Sequence, residues 1–169
     1  MKYTPKIKIC GLTNSRDLQA VISMGADYVG SVTGVTSSPR NLSLSKVKLL
    51  FHEVNNAKKV LVMVPRDTDE IIDAYDSVKP DIIQVHGGMN LYKKLDGLEI
   101  PFFVGVNDNF LVEDVMDLSR KYTIVLDTYI PGVHGGTGVT HDWSISRVIR
   151  DKIYPGRDCG LYDAGRYRD

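Results

Sequence analysis

Lys6-Ile7-Lys8-Ile9-Cys10-Gly11-Leu12-Thr13 is the stretch that decides the fold. Its alternating β-branched residues read as a short strand that stops at a cysteine and a glycine. A helix start follows at once. Asn14 and Ser15 are capping residue types, and Asp17 falls in the first turn, where the helix dipole favours a carboxylate. A strand that hands over directly to a helix is the opening half of a βα unit. In parallel α/β folds the carboxyl ends of the strands carry the chemistry. Cys10 sits at such an end, and a helix N-terminus nearby favours a thiolate. Cys10 is therefore a candidate proton-transfer group or nucleophile. The competing reading is a small buried hydrophobe that closes a strand.

The same unit recurs along the chain. Apolar, β-rich runs at 28–32, 59–64, 81–86, 101–106 and 122–127 read as further strands. Segments with apolar residues at helical spacing lie between them: 15–24, a helix starting at Asn41-Leu42-Ser43, 67–78, a short piece around 91–95, 110–120 and 143–149. Pro65 and Pro80 punctuate the series. The spacing predicts six βα units and a parallel sheet. Two architectures satisfy it, an open doubly wound sheet and a (β/α)8 barrel. No G-x-G-x-x-G follows the first strand and no Walker A sequence occurs, which favours the barrel.

Composition narrows the function. The chain has 169 residues, 43% hydrophobic and 25% charged, with 21 basic and 21 acidic side chains. That balance gives no electrostatic reason to expect nucleic acid or an anionic membrane as partner. No apolar run is long enough for a bilayer span, and residues 1–5 do not read as a signal peptide. Cys10 and Cys159 sit in unlike contexts and suggest no disulfide framework, so a reducing cytoplasm is the expected compartment.

Beside Cys10, three other polar groups fall at or after strand ends: Arg40, His86 and Asp127. In a barrel they converge on one face, and a thiol opposite a carboxylate suits paired proton abstraction and donation. Each also has a plain structural reading: a solvated loop arginine, a hydrogen-bonded histidine with no metal-spaced partners, a loop-capping aspartate. Gly135-Gly136-Thr137-Gly138 reads either as a flexible turn or as a nest for an anion. His134 and His141 flank it without a metal signature.

In order along the chain stand K-I-C-G-L-T at 8–13, G-A-D-Y-V-G at 25–30, S-P-R at 38–40, Q-V-H-G at 84–87, D-T at 127–128 and G-G-T-G at 135–138, with Trp143 after it. Taken together they resemble the phosphoribosylanthranilate isomerases of tryptophan biosynthesis, over residues 6 to about 150. The resemblance implies an α/β fold of the (β/α)8 TIM-barrel family. It also implies an Amadori rearrangement of a phosphosugar–anthranilate substrate, with no cofactor and no metal. On matching positions, Asp127 would be the general acid on the furanose ring oxygen and Cys10 the general base at C2′. Arg40 would pair with the anthranilate carboxylate, and His86 with Gly135, Gly136, Thr137 and Gly138 would line the substrate pocket. The chain departs from the family pattern at Ser31-Val32-Thr33-Gly34, where an aromatic-rich strand end is usual, and at Met63 and Pro65.

Barrels of this type need about 200 residues or more. Residues 151–169 are charged and poor in β-formers and do not read as a buried strand. The expectation is a partial barrel over 1–150 with about six βα units, strands seven and eight missing or altered, and an aberrant, frameshifted tail over 151–169. A six-unit sheet leaves open edges, so self-association is expected. A non-catalytic remnant of the barrel is the competing functional reading.

Overall fold

The apolar runs become neighbouring strands. Residues 5–107 and 109–127 are described by the computed structural model. They form β1 (Lys8–Ile9), α1 (Ser15–Ser23), β2 (Tyr28–Thr33), β3 (Asn41–Leu42), α2 (Leu44–His52), β4 (Lys58–Met63), α3 (Thr68–Val78), β5 (Ile82–His86), α4 (Met89–Tyr92), a 3-10 turn (Leu95–Gly97), β6 (Phe102–Val106), α5 (Val112–Ser119) and β7 (Thr123–Leu126). All pairings are parallel. The sheet runs β1-β2-β4-β5-β6-β7, with the two-residue β3 beside β2 off that path.

A doubly wound sheet reverses its strand order at a switch point, and this one does not. Alternate strand residues sort into two layers. Leu61, Met63, Ile83, Val85, Val104, Val106, Ile124 and Leu126 share a core with the inward residues of α2, α3 and α5, among them Val47, Phe51, Ile71, Ala74, Val78, Val115 and Leu118. Val60, Val62, Ile82, Phe103 and Val125 form a separate cluster on the opposite face, with Cys10, Tyr28 and Val32 packed against it. Tyr28 of β2 and Phe103 of β6 meet edge-on across that face with ring centroids 5.5 Å apart. Three ladder spacings separate their strands, roughly 14 Å on a flat sheet. The contact therefore requires the sheet to curl around that face. Among the described residues the helices lie on the convex side, and with sequential strands and strong curvature they make a parallel half-barrel of the TIM-barrel-like kind.

Caps settle the local boundaries. Asn14 accepts from the Asp17 N–H at 2.9 Å and Asp67 from the Glu70 N–H at 3.0 Å, each closing an orphan donor of a helix start. The helix expected from residue 41 begins instead at Leu44, with Ser43 as its cap. The residues before it serve another purpose. Asn41 Oδ1 accepts from the Val35 N–H at 3.0 Å, and the Thr33 hydroxyl donates to the Leu42 carbonyl at 2.9 Å, folding the loop back onto β2 as β3. The short helix expected near 91–95 is α4 followed by the 3-10 turn. Ser31, where the family resemblance leads one to expect aromatic side chains, is buried and donates to the Leu12 carbonyl at 2.9 Å.

Tyr92 ties the ends of β5 and β6 together. Its buried hydroxyl accepts from the Gly87 N–H at 2.8 Å and donates to the Gly105 carbonyl. Burial pushes its ionisation well above the ordinary phenol range, against a smaller opposing pull from the Gly87 N–H, so the donor is retained. Tyr92→Phe keeps the ring and removes the partner of both backbone groups. The expected cost is about 1–3 kcal/mol, read as a lower denaturation midpoint at unchanged slope.

The expected helix at 143–149, the Gly135–Gly138 loop and the 151–169 tail lie outside the described residues. The expectation of open sheet edges depends on those residues as well.

Candidate active site

β1 is two residues long because Gly11, at φ +80°, turns the chain away immediately after Cys10. The strand is anchored at its start by Asp27, which accepts from Lys6 Nζ at 2.7 Å and from the Ile7 N–H at 2.8 Å. The Lys6 bond first, then the Ile7 N–H, hold that carboxyl below its usual range. Past the turn, the Leu12 N–H returns to the Gly30 carbonyl at 2.9 Å. Cys10 is thereby held half-buried as a free thiol, packed against the concave cluster of Val60, Val62, Ile82, Phe103 and Val125.

Gly30 on β2 lies directly beneath it. A Cβ at Gly30 would stand 2.9 Å from Cys10 Sγ and 3.4 Å from Lys8 Nζ. Gly11 plays the same part for Arg40, whose Cδ would lie 2.5 Å and Nη1 3.1 Å from a Cβ added there. The exposed loop guanidinium of Arg40 is thus laid across the turn that follows Cys10.

The second group of side chains lies at the ends of β5, β6 and β7. His86 is the last residue of β5, and Asp127 follows β7 with its N–H still bonded to the Val106 carbonyl at 2.9 Å. His86 Nδ1 is 3.8 Å from Asp127 Oδ2, with both side chains about four-fifths buried, at 22% and 18% exposure. On its other side His86 Nε2 is 2.7 Å from Gln84 Nε2, and Gln84 is 5% exposed. The imidazole lies over Gly105, where a Cβ would come within 2.4 Å of Nδ1.

Of the residues singled out in the sequence, Cys10 and Arg40 are brought together at β1 and β2, and His86 and Asp127 at β5 and β7. All four are at the carboxyl end of one curled parallel sheet. Gly135, Gly136, Thr137 and Gly138 lie outside the described residues. Gln84, Lys8 and the glycines under the side chains went unrecognised. The i, i+2 spacing of Gln84 with His86, and of Lys8 with Cys10, was the signal available, since it puts each pair on one face of a strand. Among the described residues there is no group of three or more His, Cys, Asp or Glu side chains able to hold a metal ion, and no helix long and apolar enough to cross a membrane.

The sheet defines a TIM-barrel-like fold, the class of enzyme scaffold whose candidate groups here gather at the carboxyl ends of the strands. The sequence profile of N-(5′-phosphoribosyl)anthranilate (PRA) isomerase matches residues 7–156. N-(5′-phosphoribosyl)anthranilate isomerase 1 of Methanosarcina mazei is 30% identical over 168 residues, covering 87% of this chain and 72% of that protein. The Haloferax volcanii enzyme of the same name is 35% identical over 153 residues, covering 85% and 67%. Among solved structures, phosphoribosyl anthranilate isomerase from Thermotoga maritima superposes with a TM-score of 0.71 at 29% identity, over 88% of this chain and 73% of that one. An isomerase complex with reduced 1-(o-carboxyphenylamino)-1-deoxyribulose 5-phosphate does so at 0.67 and 26% identity, over 88% and 72%. The chain belongs to the N-(5′-phosphoribosyl)anthranilate isomerase family, and by that membership it is an isomerase of tryptophan biosynthesis.

Proposed function

We propose that the chain converts N-(5-phosphoribosyl)anthranilate to 1-(2-carboxyphenylamino)-1-deoxyribulose 5-phosphate by acid–base catalysis, with Asp127 as general acid and Cys10 as general base. Asp127 gives a proton to the furanose ring oxygen. The C1′–O bond breaks and the aniline nitrogen lone pair closes an iminium. Cys10 takes the C2′ proton, and the electron pair of that C–H bond neutralises the iminium to an enolamine. The ketone forms when C1′ takes up a proton and the C2′ hydroxyl gives one up, so acid and base end the turnover as they began it. Arg40 offers the fork that a planar carboxylate accepts in bidentate fashion, and we assign it to the anthranilate carboxylate. His86 and the Gly135–Gly138 loop line the same pocket in this reading.

The observation that carries the proposal is the placement of a half-buried free thiol and a largely buried carboxylate at the carboxyl ends of β1 and β7, on one curled sheet. Proton donation to the ring oxygen and abstraction from C2′, the two atoms that flank C1′, need one group that carries a proton and one that takes it, both partly shielded from water. The test is disappearance of the anthranilate fluorescence of the substrate, with the ketose product identified by mass and NMR. A chain that leaves the substrate unchanged, or whose turnover survives loss of both Cys10 and Asp127, refutes the assignment.

A further inference from the structure

We propose that Gln84 is a positioning residue that sets the tautomer of His86 and, through it, holds Asp127. The inference rests on the acid–base reading above. Gln84 and His86 are two residues apart on β5 and share its concave face, with Gln84 the deeper. The Gln84 amide nitrogen lies 2.7 Å from His86 Nε2. An amide NH2 only donates, so His86 Nε2 must accept. A neutral imidazole has one donor and one acceptor, and its proton is then on Nδ1. Nδ1 is the atom that faces Asp127 Oδ2, at 3.8 Å. The opposite orientation of the amide would put the proton on Nε2 and leave the Nδ1 lone pair facing Asp127, so that two acceptors oppose each other once the acid has given up its proton.

The arrangement matters most at one moment of the reaction. Once Asp127 has given up its proton, the Nδ1–H faces a full carboxylate, and a hydrogen bond to a charged acceptor is shorter and stronger than one to a neutral acid. The imidazole therefore favours the state that follows proton donation, which is the differential interaction that raises kcat.

A second observation separates this role from a structural one. Gln84 Oε1 is buried and takes no hydrogen bond among the described residues. A buried amide satisfied at one end only is a cost to the fold, and an apolar side chain of the same length packs there without it. Residues that violate the packing rules in this way concentrate at functional sites.

The experiment uses the whole chain labelled with 15N-histidine. Multiple-bond 15N–1H spectra, recorded above the titration of the ring and assigned by loss of the His86 signals in His86→Asn, read the tautomer without turnover. His86 is expected to carry its proton on Nδ1, the opposite of the form free histidine prefers. In Gln84→Met the Nε2–H form should gain population. Its kcat should fall about ten- to a hundredfold, a part of the roughly 10²–10⁴ that a well-placed acid supplies, at little change in KM and an equal or higher thermal midpoint. Gln84→Glu, which accepts from Nε2–H, should reverse the tautomer and fail to rescue. A proton on Nε2 in the active parent overturns the proposal and spares the isomerase reading. So does an unchanged tautomer or kcat in Gln84→Met, or a fall in kcat matched by lost stability. An Nδ1–H imidazole in a chain without isomerase activity overturns instead the acid–base reading on which the proposal rests.

Discussion

Asp127→Asn is expected to lower kcat by about 10²–10⁴-fold, the usual worth of a positioned general acid, with little change in KM. The substitution is close to isosteric. The backbone hydrogen bond from the residue 127 N–H to the Val106 carbonyl does not involve the side chain and should persist. What disappears is the transferable proton. The amide keeps the shape of the acid beside His86 Nδ1, 3.8 Å away in the parent, so substrate binding and the local geometry stay near those of the parent while ring opening loses its acid. An interaction made chiefly in the transition state shows itself as an equal loss in kcat and kcat/KM. Steady-state kinetics by substrate fluorescence decide the point. An Asp127→Asn enzyme with nearly parental kcat would remove the carboxylate from the mechanism.

Cys10→Ser and Cys10→Ala are expected to fall as far, also about 10²–10⁴-fold in kcat, for a different reason. A serine hydroxyl keeps the shape and remains a far weaker base than a thiolate at the working pH, so shape alone should not restore turnover. The stability change should be small, since the thiol is only partly buried against the concave cluster. Because acid and base act on one substrate within one turnover, their losses should not add. The Cys10→Ala, Asp127→Asn double variant is expected to be little slower than the poorer single variant. A double variant slower by the full product of the two would mean that the groups act independently. Full activity in Cys10→Ser would show that the sulfur is not the base.

The strands were the most legible part of the chain, for a physical reason. Those buried on both faces must be apolar almost throughout, so 59–64 and 101–106 announce themselves in the sequence, and the structure places strands at Lys58–Met63 and Phe102–Val106. The architecture was less so, since six βα units fit an open sheet or a barrel equally. The deciding contact, Tyr28 with Phe103, joins residues 75 positions apart, and only the curvature of the sheet brings them together. The start of α2 was misjudged because Asn41 and Leu42 look like helix-entry residues until the loop they close is seen.

Within the site, Cys10, Arg40, His86 and Asp127 stood out as reactive types at strand ends. Gln84 did not, although it falls within the quoted Q-V-H-G motif. A glutamine in an apolar run says nothing until its partner two residues on is known to point the same way.

The three glycines of the site carry a consequence for heredity. Cys10, Arg40 and His86 each rest on one, Gly30, Gly11 and Gly105 in turn, at distances that a single methyl group would violate. None of the three can donate a proton or bind a charge through a side chain. A change of any of them to alanine should nevertheless displace a group that does, by a few tenths of an ångström or more, while the helices on the far side of the sheet stay packed. In a selection for growth without tryptophan, such alleles at Gly30 and Gly105 would group with losses of Cys10 or Asp127 and apart from ordinary folding defects, while at Gly11 the strain of a side chain at φ +80° adds to the displacement. The positions least tolerant of variation would then include three with no chemistry of their own.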